Sequence, residues 1–325
     1  MRVLITGGAG FIGSHIVDRH ISNDSNDEVV VVDDLSGGKK KNVDPKATLC
    51  VADCRDAVEI DNIFKLFKPE IVYHLAANAA ENKSVFSPID VTSRNYDAFI
   101  KVLTPFIKYG GKRFIYTSSI AVYGAGQIPF SEDDTPMPED LYGVTKLAAE
   151  ETLKIMSKVH GFEYVIARPH NVYGPRQNMT DPYRNVVTIF MNSTLKKKPY
   201  YIYGDGNQVR CFSYIDDVVE ALYKCSFANV SGMTFNIGSD VRYTVNQLAK
   251  TIGGEAIHLT ERINEVKFAV SIHELAKKYL DYEDKTGLKE GIMNTWRWVK
   301  SVGYQEPIYD SLEIINDKVP KNWIK

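Results

Sequence analysis

The N-terminus constrains the fold of this chain more than any other stretch. An apolar run, Val3-Leu4-Ile5, is followed at once by glycines at positions 7, 8, 10 and 13, and Phe11 and Ile12 open an apolar-periodic segment. This order predicts a strand, a tight turn and a helix. Glycine suits such a turn because a side chain would keep a diphosphate from the backbone and the helix from the strand. The helix N-terminus would then offer its amides to the phosphates.

The glycines fit two spacings, and the sequence leaves both open. They form Gly-x-Gly-x-x-Gly from position 8 or Gly-x-x-Gly-x-x-Gly from position 7. A second apolar run, Val29 to Val32, ends in Asp33, 20 positions after Gly13. A carboxylate at that distance predicts an acceptor for the adenosine ribose hydroxyl of NAD. The alternative is a glycine-rich turn with no ligand.

Length, charge and cysteine spacing narrow the class of protein. The chain has 325 residues, enough to bury a large core in two lobes, and its net charge of -2 offers no electrostatic case for a nucleic-acid partner. A strand and a glycine turn occupy the N-terminus, and no apolar run reaches membrane-spanning length, so we expect neither a signal peptide nor a membrane partner. The cysteines form no Cys-x-x-Cys pair, so we expect reduced thiols in the cytoplasm and no metal site.

Strand-like and helix-like segments alternate through the first half of the chain. This alternation predicts right-handed crossovers and an α/β fold with a doubly wound parallel sheet of the Rossmann type. In such a fold, ligands bind beyond the carboxyl ends of the strands. After Asp33 we expect strands near 48–51, 71–75, 113–118 and 165–167, and helices over 58–67, 92–109 and 141–159.

The texture of the sequence changes near Pro169, where segments shorten and prolines and glycines become frequent. We therefore expect an NAD-binding domain over residues 1–169 and a smaller C-terminal α/β substrate lobe over residues 170–325. A strand-like stretch from Thr234 to Ile237 is expected to return to the first sheet.

Tyr142 and Lys146 form the strongest catalytic signal. They lie four positions apart at the start of a predicted helix, so both side chains project from one face. An adjacent ammonium stabilises a phenolate, so we expect Lys146 to lower the pKa of Tyr142 and make it a general base for a hydroxyl group. Ser119 ends the preceding strand, where its hydroxyl can share a substrate oxygen with Tyr142. The alternative is an exposed pair on a helix surface.

These motifs together resemble the extended short-chain dehydrogenase/reductase family of NAD-dependent nucleotide-sugar epimerases and dehydratases. Within it, the chain is most similar to the group of UDP-glucose (UDP-galactose) 4-epimerases. The resemblance runs in order over nearly the whole chain. It is carried by the segments Thr6–Gly13, His74–Ala77, Thr117–Gly124, Tyr142–Lys146 and Asn171–Arg176.

The resemblance implies a set of cofactor-binding residues at the matching positions. Asp33 and Asp34 would hold the adenosine ribose and Asp53 the adenine. Ala76 with Asn95 would contact the middle of the cofactor. The full NAD-binding set is Gly7, Gly10, Phe11, Ile12, Gly13, Asp33, Asp34, Ser36, Asp53, Cys54, Leu75, Ala76, Ala77, Asn95, Thr117, Tyr142, Lys146 and His170.

The resemblance likewise implies a nucleotide-sugar site. Tyr142 would be the base, Lys146 would bind the nicotinamide ribose, and Ser119 would orient the 4-hydroxyl of the sugar. The substrate-binding set is Ser119 on the sugar hydroxyl, Asn171, Arg210 and Arg262 on the diphosphate, Tyr203 at the nucleobase and Glu265 on the ribose, together with Val187 and Tyr201. Without the family, Tyr203 could equally be a core aromatic, and Arg262 with Glu265 an ordinary ion pair.

Departures from the family pattern bear on the reaction. Dehydratases carry an Asp-Glu pair where this chain has Ile120 and Ala121, and decarboxylases carry a glutamate there. Uronate epimerases favour threonine at the position of Asn171. His170 replaces a phenylalanine that lies beside the nicotinamide, and Cys211 replaces a common aspartate. Ala269 is small at the position that admits an N-acetyl group, so N-acetylhexosamines are expected to fit.

The resulting hypothesis is reversible inversion at C4 of a UDP-hexose through a 4-keto sugar. Two alternatives remain open. One is another nucleotide-sugar enzyme of the family: a CDP-sugar 2-epimerase, a UDP-glucuronate epimerase or decarboxylase, or a dTDP-sugar dehydratase or reductase. The other is a non-catalytic dinucleotide-binding protein.

The resemblance also implies a homodimer, formed through the helices over 92–109 and 141–159. Their apolar positions can serve either the core or a partner chain. These positions are Phe99, Val102, Leu103, Leu147 and Leu153.

An enzyme that restores its own cofactor in each cycle has no need to release it. We therefore expect NAD, and no NADP, to copurify with the protein. Mass spectrometry of small molecules released by denaturation tests this directly. A preparation that releases no dinucleotide, or only NADP, would contradict the assignment of Asp33.

Overall fold

The computed structural model describes residues 1–22, 26–124, 126–184, 186–261 and 266–323. The strands, in chain order, are β1 (Arg2–Thr6), β2 (Glu28–Asp33), β3 (Thr48–Val51), β4 (Ile71–His74), β5 (Arg113–Thr117), β6 (Glu163–Pro169), β7 (Val172–Tyr173), β8 (Tyr200–Tyr203), β9 (Val209–Arg210), β10 (Ser213–Tyr214), β11 (Met233–Ile237), β12 (Tyr243–Thr244), β13 (Ala256–Leu259) and β14 (Phe268–Ala269).

Helices cover both faces of the main sheet and the second half of the chain. They are α1 (Phe11–Ile21), α2 (Ala57–Phe67), α3 (Glu81–Ser84), α4 (Pro88–Thr92), α5 (Ala98–Lys108), α6 (Leu141–His160), α7 (Val186–Leu195), α8 (Ile215–Lys224), α9 (Val245–Ile252), α10 (Glu274–Leu280) and α11 (Leu288–Val302). Short 3₁₀ turns occupy Lys40–Asn42, Ile120–Val122 and Lys321–Trp323. None of the helices in these ranges is both long and apolar enough to cross a membrane.

Within the described residues, seven strands form one parallel sheet in the order β11-β6-β5-β4-β1-β2-β3. The order reverses between β1 and β4, which is the point where a doubly wound sheet opens a crevice at the carboxyl ends of its strands. The predicted Rossmann-type fold is confirmed. The register sets Ile5 between Val31 and Tyr73.

The continuous apolar runs of the central strands follow from burial on both faces of the sheet. Val3 and Ile5 pack into a core cluster with α1 and α8, while Leu4, between them, packs into a second cluster with α2 and α5. All three side chains are fully buried. A strand covered on both sides needs apolar residues at consecutive positions rather than alternate ones.

The helix expected over 92–109 is interrupted. The chain forms α4, then a π-helical turn over Ser93–Asp97, and only then α5. The turn places the amide of Asn95 against the backbone of Asn78, with Asn78 N donating to Asn95 Oδ1 at 2.7 Å and Asn95 Nδ2 donating to Asn78 O at 3.1 Å. Periodicity missed the interruption because both flanking helices present apolar residues to the same core.

The second half of the chain also contributes to the main sheet. β11 pairs in parallel with β6 over its whole length, so the strand expected near 234–237 lies in the first sheet. α8 packs against α1, where Arg19 and Glu220 form an ion pair of 2.8 Å. These contacts join the two parts of the chain on either side of residue 169. The domain boundary expected there stays a prediction.

The apolar residues that were expected to serve either the core or a partner chain serve the core. Phe99, Val102, Leu103 and Leu153 are buried within the cluster between the sheet, α2, α5 and α6. Leu147 is half-buried against Ile120 and its neighbours. The homodimer therefore stays a prediction.

A buried ion pair anchors α6 to the sheet. Arg168 on β6 donates from Nε to Glu150 Oε1 at 2.9 Å, and its Nη2 donates to Glu150 Oε2. Ser118 Oγ donates to the same carboxylate, and Glu150 is fully buried. Arg168 Nη1 also donates to the hydroxyl of Tyr123 at 2.7 Å. Such a pair orients its helix because neither charge can turn away without losing its partner.

Replacing Glu150 by alanine should leave the Arg168 guanidinium buried without a counter-charge. We expect the free energy of unfolding to fall by about 3–5 kcal/mol, measured by urea titration. Glu151→Ala is the matched control, because Glu151 pairs with Lys154 while 56% of its side chain is exposed. The control should change stability by less than about 1 kcal/mol. Equal effects of the two substitutions would refute the anchoring role.

Candidate active site

A cavity of about 1060 Å³ opens at the carboxyl edge of the main sheet. The segments that follow β1 to β6 line it on one side, and α7, β8 and residues 307–313 line it on the other. The residues predicted from sequence that lie on its wall are Gly7, Gly10, Phe11, Ile12, Gly13, Asp33, Asp34, Ser36, Asp53, Cys54, Leu75, Ala76, Ala77, Thr117, Ser119, Tyr142, Lys146, Asn171, Tyr201, Tyr203 and Arg210.

The glycine turn brings β1 and α1 too close together for side chains. A Cβ on Gly13 would lie 2.3 Å from Gly7 O, and one on Gly7, whose φ is +69°, would lie 2.8 Å from Ala76 N. Gly8 does not line the cavity; its Cβ would meet Val31 on the neighbouring strand at 2.8 Å. The structure therefore distinguishes the two spacings: Gly7, Gly10 and Gly13 face the cavity, and Gly8 serves packing.

Asp33 holds the end of this turn. Its Oδ2 accepts from Ala9 N at 3.0 Å and its Oδ1 accepts from Leu35 N at 2.9 Å. A Cβ on Gly38 would lie 2.8 Å from the carboxylate, so glycine is needed beside it. Burial raises the pKa of Asp33, against the effect of its backbone hydrogen bonds.

Two arginines accompany the other acidic residues at this end of the cavity. Asp34 pairs with Arg94 at 3.0 Å and accepts from Ser36 Oγ at 2.6 Å. Asp53 pairs with Arg55 at 2.6 Å. Sequence reasoning missed both arginines because neither lies in a motif.

Asn95 does not line the cavity. Its side chain instead holds the backbone of Asn78, which does, and donates to Thr145 Oγ1 on α6 at 3.2 Å. The predicted direct contact of Asn95 with the cofactor is therefore replaced by a positioning role. Asn78 follows β4 directly, so its place after a strand end was the available signal.

Ser119, Tyr142 and Lys146 converge at the end of β5. Asp140 caps α6 by accepting from Gly143 N at 2.7 Å, which places Tyr142 in the first turn. A Cβ on Gly143 would lie 2.6 Å from Ala121 O, so glycine lets α6 approach the turn after Ser119. Ser119 Oγ accepts from Ala121 N at 3.1 Å, and Ser119 lies near enough to Tyr142 to lower the pKa of the Tyr142 hydroxyl. The side chains of Tyr142 and Lys146 are buried, so they are not an exposed surface pair.

The charges around Tyr142 differ from the expectation. Burial raises its pKa above the usual range, and Glu81 adds to this effect, while Ser119 and Arg184 oppose it. Lys146 Nζ donates to Thr117 O at 2.7 Å, and burial lowers the pKa of Lys146 to about 7. The groups that lower the pKa of Tyr142 are Ser119 and Arg184, and Lys146 is not among them because its Nζ is bound to Thr117 O.

Among the residues predicted to bind the substrate, one does not line the cavity and two fall outside the residues that the structure describes. Val187 is buried on the inner side of α7, and its neighbours Val186 and Ile189 face the cavity instead. The helical period turns adjacent positions to different faces. Arg262 and Glu265 fall outside the described residues. Ala269 packs against Tyr123 and Phe130 and does not line the cavity, so its predicted effect on an N-acetyl group has no support in the structure.

The cavity itself has features that suit a dinucleotide. Gly10 caps α1 without any side-chain hydrogen bond, so the first amides of the helix face the glycine turn unshielded. Thr117 Oγ1 is buried without a hydrogen-bond partner among the described residues. The crowded glycines and the buried Asp33 carboxylate complete a site for a diphosphate and a ribose.

A comparison with protein families agrees with this geometry. The model of the NAD dependent epimerase/dehydratase family matches residues 3–238. The chain belongs to the NAD-dependent epimerase/dehydratase family. It is an enzyme that uses NAD, and the family resemblance of its motifs is confirmed.

Members of this family with different activities are similar to the chain. The UDP-glucose 4-epimerase of Thermotoga maritima, solved with UDP-glucose, is 36% identical with a TM-score of 0.87, over 93% of this chain and 99% of that one. The UDP-glucose 4-epimerase of Thermus thermophilus, in complex with NAD, is 30% identical with a TM-score of 0.87, over 92% and 99%. The UDP-N-acetyl-alpha-D-glucosaminuronate decarboxylase of Bacillus cytotoxicus is 32% identical over 93% and 98%.

The described part of this family member holds no group of three or more His, Cys, Asp or Glu side chains arranged for a metal ion. Its cysteines, Cys50, Cys54, Cys211 and Cys225, are free thiols.

His170 lies apart from the cavity and belongs to a buried polar cluster. Its Nε2 is 2.9 Å from His273 Nε2 and 2.9 Å from Ser271 Oγ, and His273 Nδ1 is 2.9 Å from Asp240 Oδ1. His170 does not line the cavity, so the structure gives no support to its expected place beside the nicotinamide, which stays a prediction. The ring instead fills the space over Gly238, where a Cβ would lie 1.7 Å from His170 Nε2.

This cluster makes the enzyme sensitive to acid. Burial and the neighbouring His273 together lower the pKa of His170 to about 3, so the folded chain binds fewer protons than the unfolded chain below pH 6.5. The stabilisation is complete above that pH and is lost as the pH falls toward 3. Between pH 7 and pH 5, the wild type should lose about 2 kcal/mol more stability than a His170→Phe variant.

Urea unfolding at both pH values measures the difference. His160→Gln, at the exposed end of α6, is the control and should keep the wild-type pH dependence. If His170→Phe and the wild type lose the same stability on acidification, the cluster is not the acid-sensitive group.

Proposed function

We propose that this enzyme catalyses the reversible inversion of C4 of a UDP-hexose, interconverting UDP-glucose and UDP-galactose. The observation that carries the proposal is the position of Ser119, Tyr142 and Lys146 together, all buried, on the cavity wall at the end of β5. In its phenolate form, Tyr142 can accept the proton of a sugar hydroxyl that the Ser119 hydroxyl orients.

Tyr142 is the base in this scheme. Its pKa is raised by burial, so it needs a positive charge nearby when it takes the proton from the 4-hydroxyl. NAD supplies the hydride acceptor and donor when bound. Arg184, which opposes the rise in the pKa of Tyr142, adds a second source of positive charge from the chain itself.

In this structure, Lys146 acts through its position and does not lower the pKa of Tyr142. Its Nζ donates to Thr117 O and lies 5.8 Å from the centre of the Tyr142 ring. A pKa of about 7 lets the ammonium form dominate once an anionic phenolate or a polar ribose lies beside it. Lys146 therefore connects the region of Tyr142, where the proton is transferred, with the backbone carbonyl of Thr117 at the end of β5.

Epimerisation is favoured over water loss or decarboxylation by the turn after Ser119. Ile120 and Ala121 occupy the first positions of the 3₁₀ turn and carry no proton to donate. Glu81 is the carboxylate with the strongest effect on the pKa of Tyr142, and it lies on α3, at the cavity wall. A carboxylate on α3 is therefore not equivalent to the acid that dehydratases and decarboxylases carry on the turn after Ser119.

The direct test is incubation of the purified enzyme with UDP-glucose and no added NAD. We expect UDP-galactose to form, because the cofactor is restored in each cycle. UDP-glucuronate, UDP-N-acetylglucosamine and a dTDP-glucose sample run in parallel distinguish the other activities of the family. A dehydrated keto sugar or no product from UDP-glucose would overturn the proposal, as would a pentose formed from UDP-glucuronate in place of UDP-galactose formed from UDP-glucose.

Tyr142→Phe tests the base within the same assay. Loss of the hydroxyl should lower kcat by a factor of about 10²–10⁴ while NAD stays bound. Tyr279→Phe, a substitution at an exposed tyrosine on α10, is the matched control and should keep wild-type turnover. Full activity of Tyr142→Phe would show that another group takes the proton.

A further inference from the structure

Residues 305–323 follow α11 and run across the cavity; we call them the C-terminal strap. At its start, the strap is held by the second half of the chain. Gln305 N donates to Asn192 Oδ1 at 3.0 Å, and Asn192 Nδ2 donates back to Gln305 O at 2.7 Å. Ile308 N donates to Thr180 O at 2.8 Å. These bonds fix the strap to α7 and to the loop before it.

The middle of the strap is held by the NAD-binding half. The Glu313 carboxylate accepts from Ile89 N and Asp90 N, each at 2.8 Å, and so caps α4 from a position more than 220 residues away in the chain. Glu313 N and Ile314 N both donate to Phe86 O at 3.0 Å. Backbone donors at the start of a helix need such an acceptor, because the helix itself supplies none.

A buried ammonium joins the strap to α3. Lys83 is 3% exposed, and its Nζ donates to the carboxylate of Asp310 on the strap. The same Nζ lies 5.3 Å from the centre of the Tyr183 ring. A charge buried to this degree stays charged only beside a partner, so the pair ties α3 to the strap.

The end of the strap closes an aromatic cluster. Trp323 is 3% exposed and packs edge-on against Tyr183 and Phe86, with ring centres 4.9 Å and 6.3 Å away. Beside it, Asn322 Nδ2 lies 2.8 Å from the hydroxyl of Tyr203. The strap thus touches both halves of the chain along its whole length.

The strap also forms part of the cavity wall. Pro307 to Ser311, Glu313 and Asn322 line the cavity together with Tyr201 and Tyr203. Tyr201, Tyr203 and Tyr309 line the same cavity. Burial raises the pKa of Tyr309, and Tyr203, Glu306 and Tyr201 add to the rise. Tyr309 packs edge-on against Tyr183, with ring centres 6.1 Å apart.

We propose that the C-terminal strap is a wall of the nucleotide-sugar site, and that Tyr309 is a further binding residue for its nucleobase. Two aromatic side chains from β8 and one from the strap enclose that end of the cavity. Aromatic faces bind a nucleobase by stacking, and tyrosine adds a hydroxyl for its polar edge. The identity of the ligand, a uridine nucleotide, rests on the proposed function.

The same arrangement gives the strap a positioning role. It contacts α3 and α4, which carry Glu81 and Asp90, and Asp90 accepts from Asn78 Nδ2 at 2.7 Å. A nucleotide held by Tyr309 would therefore stabilise α3, α4 and the Asn78 loop through the strap. Glu313, whose carboxylate accepts from two backbone amides of α4, is the positioning residue for this effect.

Calorimetric titration of the NAD-loaded enzyme with UDP tests the binding role. Tyr309→Ala should raise the Kd for UDP about tenfold, and Tyr309→Phe should stay within about threefold of the wild type, because the ring remains. Ile315→Ala, at an exposed position of the strap, is the control and should bind UDP like the wild type. Thermal unfolding and NAD content confirm that each variant is folded.

Hydrogen exchange tests the positioning role. Glu313→Ala should speed exchange of the amides over 86–92 and raise KM for the nucleotide sugar more than it lowers kcat. Unchanged exchange in that range would overturn the positioning role.

The outcomes separate this inference from the proposed reaction. If the wild type binds UDP but does not convert UDP-glucose, the proposed reaction is wrong. The binding role of the strap is then still tested by the Kd of Tyr309→Ala for UDP. If Tyr309→Ala binds UDP as tightly as the wild type, the binding role of the strap is wrong whatever the reaction. A wild type that binds no UDP overturns both.

Discussion

The close approach of β1 and α1 is the constraint on which the rest of this structure depends. The two elements meet at a turn where Cβ atoms on Gly7 and Gly13 would overlap backbone atoms of Ala76 and of Gly7 itself. Because the helix begins so near the strand, its free amides face the edge at which β4, β5 and β6 also end. Every side chain assigned to chemistry comes from that edge or faces it.

The catalytic helix obeys a second constraint of the same kind. Gly143 lets α6 approach the turn after Ser119, and the Glu150–Arg168 pair holds the helix to the sheet two turns later. Tyr142 directly precedes Gly143, so both contacts fix the start of the helix that carries it. Rigid support of this sort keeps a proton-transfer group within reach of its partner. The strap then closes the opposite side of the same cavity.

Much of the fold and part of the site could be predicted because the relevant interactions are local. Period and turn residues located the strands and helices, and Asp33, Ser119 and Tyr142 were found because each lies beside the end of a strand. The contacts that could not be predicted join distant segments. Asn95 hydrogen-bonds to Asn78, and the His170 ring contacts Ser271 and His273. The strap residues lie in no motif, so nothing in the sequence placed them at the cavity.

The sequence by itself determined the α/β order, the glycine turn and the presence of a tyrosine and a lysine on one helix face. These depend on spacing along the chain and on the conformational freedom of glycine. Only the tertiary structure decided the electrostatics of Tyr142 and the far wall of the cavity. Burial raises the pKa of Tyr142 while Lys146 binds Thr117 O. Burial and electrostatic interactions through space depend on which distant segments of the chain meet, and the spacing of residues along the sequence does not show this.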